Sequence, residues 1–152
     1  MALPNVFNKE VSEQVIQRIN HLQSETQPVW GKMNVSQMLA HCSVTYEMVF
    51  EDKHKKPNFL MKFILKSFIK KTVTNEIPYK KNGQTAPAFI IKETKNFEAE
   101  KTRLIDYIRK TQELGAIYFD NKESLSFGTL SINEWNNMFY KHLDHHLKQF
   151  GV

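Results

Sequence analysis

Near the C-terminal end the chain reads Lys141-His142-Leu143-Asp144-His145-His146, which places two histidines four residues apart. On a helix, that spacing puts both side chains on one face with Cβ atoms about 5–6 Å apart. Two imidazoles so placed can share one metal ion, through nitrogen–metal bonds of roughly 2.0–2.1 Å. Turning the segment by about 100° per residue groups Ile132, Trp135, Phe139, His142, His146 and Phe150 on one third of the wheel. The pair therefore lies on the stripe that faces the core. The competing reading is two core histidines satisfied by hydrogen bonds, each of which needs a polar partner in apolar surroundings.

A firm site needs a third ligand, and His41 is the candidate. It falls near the flank of the apolar stripe of the second helix, beside Met38 and Thr45. The wheel alone leaves His41 open between ligand and structural residue. Trp135, Phe139, Met38 and Tyr46 are candidate pocket-lining residues, and His145 and Gln149 candidate supports behind the ligands. Asp144 points to the opposite side of the helix, toward water, and no general base is assigned. The run is not an HExxH zinc-protease motif, because leucine follows His142 where the glutamate would stand. No P-loop, GxGxxG or GxSxG occurs, so nucleotide cofactors and serine hydrolysis have no support. His21 and His54 lie in polar settings and read as surface residues.

Five helical segments must position these groups. The first spans about Asn8 to Gln23, with Val11, Val15, Ile19 and Leu22 at helical spacing. Pro28 punctuates the break after it. Trp30, just before the second helix, reads as a plug for the core, with pocket lining as the alternative. Asn34 and Gln37 form a capping box for the second helix, whose stripe is Val35, Met38, Leu39, Cys42, Tyr46, Val49 and Phe50. Cys42 reads as inert core thiol. The third segment follows Pro57, with Leu60, Phe63, Ile64 and Phe68 facing the bundle and Lys62, Lys66 and Lys70 facing water. From Thr72 to Thr94 the pattern is irregular, with an extended stretch at Ala88 to Ile91; a loop this long often forms a lid or site wall. The fourth helix runs from about Thr94 or Lys95 to Leu114 and stops at Gly115; Ala116 to Leu130 is a short connection. Ser131 and Glu134 form a second capping box and start the last helix, which ends at Gly151.

Composition sets the outer limits. A chain of 152 residues with 41% hydrophobic and 24% charged residues reads as one globular domain, 1–152. Five glycines and five prolines disfavour a turn-rich all-β fold. The lone cysteine excludes an internal disulfide. No signal-peptide-like run and no stretch near 18 apolar residues occurs, so a cytoplasmic protein without a membrane span is expected. Between Lys53 and Lys81 nine lysines face one acid, Glu76, so that window carries +8 while the remainder carries −3. Such a window reads first as the wet face of a helix, and second as a patch for phosphates or an anionic membrane surface.

Several stretches are together similar to the DinB/YfiT-like superfamily of four-helix bundles, and to an uncharacterised bacterial branch of it. They are Trp30-Gly31-Lys32-Met33 before Met38-Leu39-Ala40-His41-Cys42; Thr85-Ala86-Pro87 before Phe97-Glu98-Ala99-Glu100-Lys101; and Phe127-Gly128-Thr129-Leu130-Ser131 with Glu134-Trp135. The ending, Lys141 through Gly151, is the most specific. The resemblance implies an all-α, up-down bundle with an extra helix or long loop between the second and fourth segments. It also implies an open three-histidine metal site, whose ligands fall on His41, His142 and His146. Relatives there include thiol-dependent transferases, an isomerase and presumed hydrolases. The expectation is a metal-dependent enzyme holding zinc, nickel or iron and acting on a small molecule, with thiol transfer first and hydrolysis second. Two other classes stay open: a non-catalytic metal- or ligand-binding, stress-related protein, and a basic bundle that docks on an anionic surface. No nucleic-acid partner is expected, and a homodimer is left open.

Overall fold

Side chains at the helix starts decide where most of the helices begin. The computed structural model describes residues 2–152, and the chain is predominantly helical with one small two-stranded sheet. Helix α1 covers Lys9–Asn20. It is shorter than expected because Thr26 Oγ1 accepts from the N–H of Gln23 and turns the chain. Helix α2 covers Val35–Phe50, and its capping box forms: Asn34 accepts from the N–H of Gln37, and Gln37 accepts from that of Asn34. Asn58 caps α3, Phe59–Ile64, by accepting from Met61 N–H. The chain continues through a π turn, Leu65–Ile69, into α4, Lys70–Thr74.

The long loop that follows contains a 3₁₀ turn, Pro87–Phe89, where an extended stretch was expected. Pro87, with its preset φ, favours the turn, and the N–H of Phe89 closes it on Ala86 O. Asn96 caps α5, Phe97–Phe119. Gly115, at φ 71° and ψ 171°, breaks the helical geometry where a stop was expected, but one further turn follows it. The expected plain connection then holds a hairpin of β1, Lys122–Ser124, and antiparallel β2, Gly128–Leu130. Ser124 Oγ closes it, accepting from Phe127 N–H and donating to Gly128 O. Helix α6 covers Ile132–Gln149, with its Ser131–Glu134 capping box in place.

Helices α1, α2, α5 and α6 meet around one apolar core. A ladder of rings fixes the alignment of α2 on α6. Tyr46 stacks on Tyr107 at 5.7 Å and on Phe139 at 4.9 Å, and Phe139 stacks on Trp135 at 5.5 Å. Each fully buried aromatic contributes roughly 1.5–3 kcal/mol, so a register slip between these helices would be costly. Buried Lys141 ties α4 to α6. Its ammonium donates to the carbonyls of Thr72 and Asn75, both at 2.7 Å, and to Asn75 Oδ1 at 2.8 Å. Those acceptors cluster at the C-terminal end of α4, where a cation is favoured. Burial pulls the Lys141 amine down to about 8.

Three expectations are corrected here. The apolar face of α3 does not pack on the bundle: Phe59, Leu60, Phe63 and Phe68 are exposed. Lys62 and Lys70 instead reach Glu123 and Glu134, which turns the lysine side toward the protein. His54 is half-buried rather than a free surface residue, with Nε2 2.7 Å from Glu47. Asp144 does not point to water, since Arg18 on α1 and Lys148 hold its carboxylate at 3.0 and 2.7 Å. No helix among the described residues is long and apolar enough to cross a membrane.

Candidate metal centre

The ring ladder and the caps place one turn of α2 opposite the last turns of α6. His41, His142 and His146 come together there, with their ligand atoms within 4.8 Å of one another. Nε2 of His41 stands 2.9 Å from Nε2 of His142. Ring centroids lie 4.5 Å apart for His41 and His146, and 4.9 Å apart for the other two pairs. Two nitrogens on one metal, each bonded at roughly 2.0–2.1 Å, lie at most about 4.2 Å apart. The His41–His142 pair is already inside that limit.

The other nitrogen of each ring is engaged. His41 Nδ1 lies 2.8 Å from the carbonyl of Phe89. A carbonyl only accepts, so this nitrogen carries the proton and Nε2 presents its lone pair. His146 Nδ1 lies 2.7 Å from Gln149 Oε1. The Gln149 amide is oriented by its nitrogen, which donates to the Trp30 carbonyl at 2.8 Å. Its oxygen therefore faces His146, and Nδ1 of His146 is also the protonated nitrogen. His142 Nδ1 lies 2.9 Å from Thr45 Oγ1, which can accept or donate. A hydrogen bond at the far nitrogen is how metal-binding histidines are oriented and their tautomer fixed.

Burial pushes the His41, His142 and His146 imidazoles below the ordinary histidine range, His146 down to about 3, and neighbouring rings reinforce the shift for His142 and His146. All three are neutral at pH 7, the state that metal ligation needs. His41 and His146 are buried, while His142 keeps some exposure. The Phe89 ring covers part of the cluster, 5.4 Å from His41 and 5.7 Å from His142.

The other predicted site residues fall in two places. Met38, Tyr46, Trp135 and Phe139 are sealed in the core, where the last three form the ring ladder. His145 is half-buried beside the cluster, edge-on to His146, Trp30 and Tyr79. Trp30 is half-buried rather than a core plug. Lys81 lies over its ring at 4.3 Å, and its carbonyl holds Gln149. Gly31 makes that approach possible: at φ +86° it adopts a left-handed conformation, and a Cβ there would collide with Gln149 Nε2. Cys42 is buried, and burial raises its thiol pKa, so it holds its proton.

Residue types did not mark two of the contacts. Phe89 serves through its backbone carbonyl, which every residue has, and only the 3₁₀ turn aims it. Thr45 stands one turn from His41 and was visible beside it, but nothing in its spacing revealed that it meets His142.

The fold and this cluster define a helical protein with a buried three-histidine site able to bind a metal. The chain belongs to the DUF1569 family, described as a protein of unknown function, whose sequence pattern matches residues 7–151. No curated protein and no solved structure matches the chain.

Proposed function

We propose that this chain is a metal-dependent enzyme, with His41, His142 and His146 holding one divalent transition metal: zinc, nickel or iron. On this reading α1, α2, α5 and α6 form an up-down bundle of the DinB/YfiT type. The observation that carries the proposal is the orientation of the rings. Phe89 O and Gln149 Oε1 each fix a tautomer that turns Nε2 inward, and Thr45 can do the same for His142. Borderline imidazole donors suit these metals, and three of them leave further positions for a substrate.

When bound, such a metal supplies Lewis acidity that activates a water or a thiol near neutral pH. The chain's own residues then orient the ligands and limit access. The partly exposed side of His142 is where a small molecule would approach, with Phe89 along its edge. Transfer of a low-molecular-weight thiol to an electrophile comes first, hydrolysis second. A thiol loses its proton readily once coordinated, whereas hydrolysis commonly draws on a carboxylate base. Asp144, the acid nearest the histidine pair in sequence, is held by Arg18 and Lys148.

A second reading rests on the 2.9 Å separation of the two Nε2 atoms. His142 can donate from Nε2 to His41 while Thr45 donates to His142 Nδ1, giving a closed hydrogen-bonded network without a metal. Metal analysis of untagged protein separates the two. About one transition metal per chain, lost in His142→Ala, supports a metal centre. A wild-type protein that takes up no metal on titration leaves the hydrogen-bonded network. Thiol consumption with a model electrophile, dependent on the metal, then separates an enzyme from a metal-binding protein that has no turnover.

A further inference from the structure

The segment 59–74 is an amphipathic helix whose apolar side faces outward. Phe59, Leu60, Phe63 and Phe68 are 88%, 66%, 59% and 70% exposed. Helical spacing groups Phe59 with Phe63, and Leu60 with Ile64 and Phe68. Lys62 and Lys70, on the other side, are turned against the protein by Glu123 and Glu134, and Lys70 also donates to the carbonyl of Thr129. Large exposed apolar groups clustered on one element mark a contact site.

From this geometry we infer that the segment docks on an anionic lipid surface. The phenylalanines and Leu60 insert at the boundary between headgroups and acyl chains, and the lysines around them meet the lipid phosphates. Lys55, Lys56 and Lys71 are all exposed and belong to the +8 window between Lys53 and Lys81. Aromatic and aliphatic prongs ringed by lysine on a helix without spanning length describe an interfacial helix. Charge decides against a second copy of this chain, because joining two such faces would bring the exposed Lys55, Lys56 and Lys71 of each copy together. A nucleic acid would satisfy the lysines but offers no apolar layer to the exposed rings.

The test is sedimentation of the full chain with vesicles of phosphatidylcholine alone or mixed with phosphatidylglycerol. Binding is expected only to the mixed vesicles and is expected to weaken with added salt. Phe63→Ser with Phe68→Ser should lower partitioning on the order of tenfold or more. Lys55, Lys56 and Lys71 changed to Gln should lower it by roughly fivefold per lysine. These positions are exposed, so an unchanged thermal melt should accompany both variants. His142→Ala should bind vesicles like the wild type, which keeps this outcome separate from the fate of the metal reading. Failure to bind mixed vesicles at low salt overturns the inference. So does binding that survives the phenylalanine changes, or a dimer of the chain that those changes dissolve. DNA binding unaffected by the phenylalanine changes, with no vesicle binding, also overturns it.

Discussion

Gln149 stands between His146 and the carbonyl of Trp30, accepting from the imidazole at 2.7 Å and donating to the carbonyl at 2.8 Å. One amide thus couples a candidate ligand ring to the backbone before α2. Replacing it with Leu keeps the bulk and removes both hydrogen bonds. Metal affinity should fall about 10–100-fold. Competition against a chromogenic chelator measures this, and an affinity equal to the wild type would show that Gln149 does not position His146.

Gly31 carries the same coupling from the other side. Gly31→Ala adds a methyl where Gln149 Nε2 already lies and strains a positive φ. A loss of about 1 kcal/mol or more is expected in urea unfolding, together with weaker metal binding. If metal binding is unchanged while stability drops, the glycine matters only to the backbone.

Acid should destabilise the metal-free protein through its histidines. Their folded pKa values lie below the ordinary 6.5, that of His146 at about 3. Below pH 6.5 the unfolded chain therefore binds protons that the folded chain refuses. The stability contribution is complete above that pH and is lost as pH falls from 6.5 toward 3. The slope is at most about 1.4 kcal/mol per pH unit for each histidine. Urea titrations in chelator across this window give the slope, and the triple change to Phe should flatten it. Bound metal should shift the loss to lower pH, since protons and metal compete for the same nitrogens.

Glu47 is buried on α2 and faces Lys53, His54 and Arg103. Burial pushes its carboxyl up, but these hydrogen bonds outweigh burial and hold it below the usual range. Glu47→Gln removes the charge that Lys53 and Arg103 share and that meets the His54 ring. A loss of roughly 1–3 kcal/mol is expected, less than for a sealed ion pair because Arg103 also reaches Glu100 and water. Chemical denaturation measures it; an unchanged midpoint would show the network to be of no net value.

Thr111 on α5 is buried, and its hydroxyl has no hydrogen-bond partner among the described residues. Thr111→Val keeps the shape and removes the unsatisfied group. The expected gain is about 0.5–1.5 kcal/mol, seen as a higher denaturation midpoint. A loss of stability would mean that the hydroxyl has a partner in solution.

The helices and the histidine pair of α6 were legible in the residues because their signals are local. Asn34 with Gln37, and Ser131 with Glu134, cap within one turn, and His142 and His146 share a face by helical geometry alone. Even Gly115 marked its position, although the chain adds another turn beyond it. His41 was the candidate third ligand from its place on the second helix, but the wheel left its role open and only the resemblance assigned it to the pair.

Tertiary packing decided what depends on groups far apart in the chain. His41 meets His142 across 101 residues because the Tyr46–Phe139 stack sets α2 against α6. The Phe89 carbonyl reaches His41 because a 3₁₀ turn replaces the extended stretch that its residues suggested. The sidedness of α3 was misread for the same reason. Periodicity separates Phe63 and Phe68 from Lys62 and Lys70, but it does not say which side meets the protein. Glu123 and Glu134, brought over by the hairpin and α6, settled that by drawing the lysines in.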